Sequence, residues 1–176
     1  MKSSFRVALA TVVLAASVAG AQQRRGWEIG FDAGLFRTSF EGSDAATTFE
    51  FPVRALRAGF PIGRTAEFEP VLNIARTSSN GATATSYAFD LALVANLTPD
   101  RRTAQWFLRP FIGYQETSLD EFVRSRTSFG IGGGVRVGVT DRVSMRYEAR
   151  YRYFPERRGI SGDEIGLLGG ISIFTR

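Results

Sequence analysis

The stretch MRYEARYRYF, residues 145–154, decides the fold. Met145, Tyr147, Ala149, Tyr151 and Tyr153 share one parity, and Arg146, Glu148, Arg150 and Arg152 share the other. A repeat of two sends side chains alternately to the two faces of a β-strand. One face of this strand is apolar and aromatic, and the other is almost wholly charged. A chain built from such strands needs separate surroundings for each face.

Seven further segments follow the same rule. In 27–35, Trp27, Ile29, Phe31, Ala33 and Leu35 alternate with Glu28, Gly30, Asp32 and Gly34. In 49–60, Phe49, Phe51, Val53 and Ala55 oppose Glu50, Pro52 and Arg54. In 67–75, Phe68, Pro70, Leu72 and Ile74 oppose Glu67, Glu69, Val71 and Asn73. Segment 87–97 sets Tyr87, Phe89, Leu91, Leu93, Ala95 and Leu97 against Asp90 and Asn96, and 106–114 sets Trp106, Leu108, Pro110, Ile112 and Tyr114 against Arg109 and Gly113. In 129–139, Phe129, Ile131, Val135, Val137 and Val139 alternate with Gly130, Gly132, Gly134, Arg136 and Gly138. The last, 164–173, carries Ile165, Leu167, Ile171 and Ile173 on its apolar parity, opposite Glu164. With the opening stretch, entered from Val143, these make eight strands, the pattern of an all-β meander in one domain.

Two strands carry irregularities. Continuing the second strand's parity past Ala55 sets Arg57 among the apolar side chains, which predicts a β-bulge near 55–57. Pro52 and Pro70 each lack a ladder donor, which predicts local irregularity in strands two and three. The connections after strands two, four and six are short (62–66, 98–105, 140–142), whereas 38–48, 76–86, 115–128 and 155–163 are longer and polar. Long loops on one rim and short turns on the other, with both termini on the short-turn rim, suit a transmembrane barrel of even strand number.

The chain begins with Lys2 and Arg6, an apolar run over 7–16 and the small residues Ala19-Gly20-Ala21. That order is expected of a secretory signal over 1–21, leaving a domain over 22–176. Without Lys2 and Arg6 the domain holds 20 basic and 17 acidic residues, interleaved rather than striped, which argues against nucleic-acid binding. There is no Cys, so neither a disulfide nor a lipoprotein anchor is available. There is no His, and Lys2 is the sole lysine. Catalysis through a Ser-His-Asp triad, a thiolate, a Schiff base or a His- or Cys-bound metal is excluded, and no cofactor is implied. The pair Glu67 and Glu69 reads as salt-bridging rather than as acid–base machinery. FGIGGGVRVG lacks a complete G-x-G-x-x-G and a following helix, so it is not a phosphate loop.

Alternation alone leaves open which face is inside. A soluble lipocalin-like barrel would turn the apolar face inward around a ligand. Three features favour the outward choice. The apolar faces run for nine to eleven residues, enough to cross a hydrocarbon layer as tilted strands. Trp27, Tyr87, Trp106, Tyr114, Tyr151 and Tyr153 gather toward strand ends, where interfacial aromatics belong. The charged parity is balanced: Glu28, Asp32, Glu50, Glu67, Glu69, Asp90, Glu148 and Glu164 stand against Arg54, Arg109, Arg136, Arg146, Arg150 and Arg152. Such a set can pair inside a narrow lumen, whereas each arginine facing mid-membrane lipid would cost about 2–4 kcal/mol. Eight strands enclose a bore just wide enough for side chains. The expectation is an eight-stranded antiparallel up-and-down transmembrane β-barrel plugged by ion pairs, with Gly130, Gly132, Gly134 and Gly138 making room for the arginines. A narrow channel is the alternative.

The signal followed by WEIGFDAGLF, the turn FPIGRTAEFEPVL, and DRVSMRYEARYRYF leading into IGLLGGISIF resemble the small eight-stranded outer-membrane barrels of the OmpA and opacity type. The resemblance spans the whole domain and implies an outer-membrane location, a monomer, assembly by the barrel-assembly machinery and a structural or adhesive role. It departs from that pattern at its end, IFTR, where Phe174 stands off the apolar parity, and no peptidoglycan-binding domain is expected. The segment QETSLDEFVRSRTS, with Asp120, Glu121, Arg124 and Arg126, is the candidate surface loop. Arg37, Arg76, Arg124, Arg126, Arg157 and Arg158 mark a candidate contact with lipopolysaccharide phosphates, whose geometry suits guanidinium forks.

Overall fold

The computed structural model describes residues 26–42, 44–63, 65–79, 82–98, 104–119, 122–157 and 159–175. The expected signal and its cleavage point lie outside them, as do Asp120, Glu121 and Arg158, and the side chains of Glu50, Arg54, Arg76 and Arg124 are likewise outside the described part.

The described residues form eight strands: β1 (Glu28–Phe40), β2 (Ala46–Ile62), β3 (Ala66–Ser79), β4 (Ala82–Asn96), β5 (Ala104–Leu119), β6 (Phe122–Gly138), β7 (Val143–Arg157) and β8 (Ile160–Phe174). Each pairs antiparallel with its sequence neighbours, and β1 pairs with β8 from Glu28–Phe174 to Phe40–Gly162, which closes the barrel. Closure leaves no lateral edge along that seam for another chain to extend.

Alternation is strict on β7. Arg146, Glu148, Arg150 and Arg152 are buried, while Met145, Tyr147, Tyr151 and Tyr153 are exposed on the outside. The same division holds round the barrel: Ile29, Phe31, Leu35, Leu91, Ile112, Ile131, Leu167 and Ile171 all face outward. Apolar groups therefore sheathe the barrel and charges fill it. Trp27 and Trp106 stand outward at the terminus rim, and Tyr87, Tyr114, Tyr151 and Tyr153 stand outward toward the opposite rim.

Two expectations are corrected. The four polar segments read as long loops are mostly strand. The ladder runs to Ser79–Ala82 between β3 and β4 and to Leu119–Phe122 between β5 and β6, leaving tight hairpins. Loss of apolar alternation marks where a strand leaves the apolar belt, not where its ladder ends. Thr and Ser continue it, with Ser86 and Thr117 hydroxyls 3.3 Å apart across β4 and β5.

The irregularity of β2 lies upstream of 55–57. Asp32 pairs with Ala55 and Gly34 with Glu50, so two steps along β1 match five along β2. An odd offset exchanges the faces. From Ala55 onward β2 is regular, with Leu56 outward and Arg57 inward. Pro52 falls within the offset, and the β2–β3 ladder passes from Arg57–Val71 to Phe60–Phe68 without the pair at Pro70, while β3 pairs with β4 without a break.

The ladders above the apolar belt are also uneven. The β2–β3 pairing runs from Ile62–Ala66 to Ala55–Asn73, and the β6–β7 pairing stops at Phe129–Tyr153 although both strands continue. Across the second gap, Arg157 donates from Nη1 to the Ser125 carbonyl and hydroxyl, so a side chain replaces the ladder.

Candidate functional site

The lumen is the candidate site. Of the charged residues assigned to the inner face, Glu28, Asp32, Glu67, Glu69, Asp90, Arg109, Arg136, Arg146, Glu148, Arg150, Arg152 and Glu164 are all buried. Each reaches the bore because the period of two carries it to the same face as its strand neighbours' inner residues.

Among the described residues the ion pairs form two groups along the axis. The lower group, nearer the termini, centres on Glu69, which is 0% exposed. Its carboxylate takes Arg109 Nε at 2.6 Å and Arg146 Nη1 at 2.5 Å, with Arg57 Nη1 at 3.6 Å and Arg136 Nη2 at 3.8 Å. Arg136 also holds Glu67 and Glu28 from Nη2, each at 3.0 Å. Arg146 and Arg109 reach Glu148 at 2.7 Å and 3.5 Å. In the upper group Asp90 takes Arg152 at 2.7 Å and Arg150 at 3.7 Å, and Glu164 takes Arg150 at 3.4 Å and Arg152 at 3.6 Å.

Arg136 and Arg146 are direct register partners on β6 and β7. Like charges opposite one another are unfavourable. The carboxylates of Glu67 and Glu69, brought across the bore from β3, make that pairing tolerable.

Sequence reading met Arg57 as a break in parity, inferred a bulge there, and did not count it among the lumen charges. The structure sets it at the heart of the lower group, 2% exposed. It donates Nε to Asp32 at 2.7 Å, Nη1 to Glu28, and Nη2 to the Ser172 hydroxyl at 2.9 Å. The local pattern Leu56, Ala58, Phe60 against Arg57 carried that signal, once freed from the parity of the preceding residues.

Phenylalanines on the charged parity, Phe174 apart, were not anticipated either. Phe36, Phe107, Phe111, Phe154 and Phe174 are buried. Phe111 lies between the two ionic groups, with the Arg109 guanidinium 5.1 Å from its centroid and those of Arg152 and Arg150 at 5.1 and 5.6 Å. Arg146 sits 4.3 Å from Phe107, and Arg150 sits 5.0 Å from Phe36. Out of water, such a guanidinium–ring contact is worth about 2 kcal/mol. The rings fill the bore and supply a π-face to arginines whose forks already serve carboxylates.

Gly130, Gly132 and Gly134 make room for rings, a carboxylate and neighbouring backbone, not for the arginines. A Cβ on Gly130 would fall on the Phe111 ring and on Gly132 would fall on the Glu148 carboxylate. On Gly134 it would strike the Tyr147 carbonyl oxygen and lie 2.8 Å from Phe107 Cζ. The glycine that admits an arginine is Gly30, where a Cβ would meet the Arg57 guanidinium. Gly134→Ala is therefore expected to lower stability by about 1–3 kcal/mol, since a backbone oxygen cannot swing aside. Gly169→Ala, with no atom within 4 Å of the new carbon, should leave the denaturant midpoint unchanged. Equal midpoints for the two variants would contradict the packing described.

Of the rim arginines, Arg37 and Arg157 are exposed. Arg126 instead lies with its guanidinium 4.3 Å from the Phe40 ring, whose other neighbour is Phe154 at 5.6 Å. It caps the upper lumen rather than the outer surface. Among the described residues no group of three carboxylates, His or Cys is placed to hold a metal.

The profile of the outer membrane protein beta-barrel domain matches residues 7–167. Neisserial surface protein A is similar in structure, with TM-score 0.66 and 16% identity over 89% of this chain and 100% of that one. OprG from Pseudomonas aeruginosa gives TM-score 0.57 and 9% identity, over 89% and 98%. Ail, the attachment invasion locus protein of Yersinia pestis, gives 0.53 and 13%, over 85% and 100%. At these identities the likeness is one of fold. No curated protein sequence matches the chain.

Proposed function

The chain belongs to the outer membrane protein beta-barrel domain family, and on that premise we propose that it is a closed, non-conducting envelope barrel whose working surface is its hairpin rim. Its fold is that of an eight-stranded outer-membrane barrel, and its place is the outer membrane. The observation that carries the closed lumen is the pair of ionic groups stacked through Phe111. Among the described residues, six buried arginines and seven buried carboxylates occupy the bore, every one held by at least one opposite charge. An ion crossing it would have to displace guanidinium–carboxylate pairs in a site shielded from water, where they are hard to separate.

The hairpins of β1–β2, β3–β4, β5–β6 and β7–β8 stand on the rim opposite the termini. In this reading that rim faces the cell exterior and meets envelope or surface partners through polar strand ends such as Gln115–Ser118. Arg37 and Arg157 are the described side chains placed to meet lipid phosphates there. Export through the N-terminal signal completes the proposal. A non-enzymatic role accords with a chain that has neither His nor Cys.

The test is electrical. Purified barrel, identified by faster unheated migration in SDS electrophoresis, is placed in a planar bilayer. It should insert without discrete current steps at neutral pH. Steady stepwise conductance from the unmodified protein would overturn the closed-lumen reading and make the chain a narrow channel.

A further inference from the structure

Among the described residues, three polar atoms at the terminus rim have no hydrogen-bond partner although their residues are almost fully buried: Gln105 Oε1, Arg136 Nε and Ser144 Oγ. They do not lie apart. All three residues line one cavity of about 40 Å³, roofed by the Thr140–Val143 turn and bordered by Phe174. Buried polar groups are ordinarily satisfied, so three orphans around one void call for an occupant.

The chemistry of the lining selects it. The Gln105 amide nitrogen donates to the Thr98 carbonyl at 3.0 Å, which fixes the amide and leaves its oxygen facing the cavity as an acceptor. Arg136 commits Nη1 to Glu67 and Asn96 and Nη2 to Glu67 and Glu28, so Nε–H is its remaining donor. The Ser144 hydroxyl can play either part. An anion is disfavoured, because Arg136 is already matched by two carboxylates and Asp141 adds another at the mouth. An apolar occupant would leave all three groups unpaired. A molecule that both donates and accepts fits, and the volume admits about two or three waters.

We propose that this cavity is a built solvent site holding a fixed water cluster that joins Gln105, Arg136 and Ser144. The cluster holds the Arg136 guanidinium at its third edge, so that its two outer nitrogens stay aimed at Glu67 and Glu28. Water thus enters the barrel from the terminus rim and stops at Arg136. The site does not depend on whether the lumen conducts.

The experiment uses the full barrel in lipid nanodiscs, with isotope-labelled arginine and glutamine side chains observed by NMR. Long-lived cross-relaxation from water to Arg136 Nε–H and to the Gln105 amide is expected. Ser144→Val, whose side chain fills the void, should abolish both signals and lower by several degrees the temperature at which the fast-migrating band is lost. Absence of water cross-relaxation in the unmodified protein, with a coupling showing Arg136 Nε–H bonded directly to Gln105 Oε1, would overturn the proposal. This arm needs no variant. A Ser144→Val barrel that keeps both water signals would equally overturn it.

Discussion

Glu69→Gln is expected to cost about 3–5 kcal/mol of stability, a very large effect for so small a change of shape. The carboxylate is 0% exposed and lies within 4 Å of four guanidinium groups. Glutamine keeps the volume but removes the charge and turns one acceptor into a donor aimed at arginines. Arg109 and Arg146 would retain Glu148, and Arg136 would retain Glu67 and Glu28. The four guanidinium groups that converge on Glu69 would then face one another at close range without the carboxylate that separates them. Denaturant unfolding in lipid vesicles measures the cost. Pairing Glu69→Gln with Arg146→Gln should recover part of it, because the double variant also removes the guanidinium that lies 2.5 Å from the lost carboxylate. A single variant within 1 kcal/mol of the parent would mean that the network is more solvated than its geometry implies.

Arg57→Leu should be comparably damaging, again by about 3–5 kcal/mol, because it leaves buried carboxylates in excess. Arg57 joins Glu28 and Asp32 on β1 to Ser172 on β8. Removing it leaves Asp32 without its described guanidinium and Glu28 with Arg136 alone. Lysine should rescue poorly, since one ammonium cannot reproduce a planar fork with three separate partners. A second consequence is local. Gly30 exists to admit the Arg57 guanidinium, so Gly30→Ala, harmful in the parent, should be tolerated better beside Arg57→Leu. Additive costs in that double-mutant cycle would separate the two residues and contradict the contact.

The contrast between Glu69 and Arg57 shows how far the chain could be read before its structure. Glu69 was legible because β3 keeps one parity throughout and Pro70 does not disturb it. Arg57 was not assigned to the lumen, because the offset between Glu50 and Ala55 inverts the faces of β2, and the break in parity was read as a bulge near 55–57 instead. The eight strands themselves were legible because the apolar belt imposes strict alternation on each. Their ends were not, because Thr and Ser form strands as readily as they form loops once lipid stops selecting for apolar side chains. The inner phenylalanines were hidden for a related reason. Phe36, Phe107 and Phe111 sit on the charged parity, and a hydrophobicity pattern counts them as noise. Their role as stacking partners for arginine depends chiefly on contacts of β7 with β1 and β5 that no single strand displays.

Seven of the eight strand pairings join consecutive strands, and the eighth joins the first to the last. Hairpins can therefore form early and locally, each closing only a short loop. The charges cannot follow the same schedule. Glu69 meets Arg146 across 77 residues and Glu67 meets Arg136 across 69, so these partners stay far apart while the sheet is still open. An open sheet lying in lipid would present unpaired strand edges and bare arginines together, which a bilayer tolerates poorly. Docking of β8 against β1 and neutralisation of the interior must then be nearly one event. Synthesis runs from the N-terminus, so that event waits for the final strand, and a chain stopped short of Ile160 would have no stable resting place in the membrane.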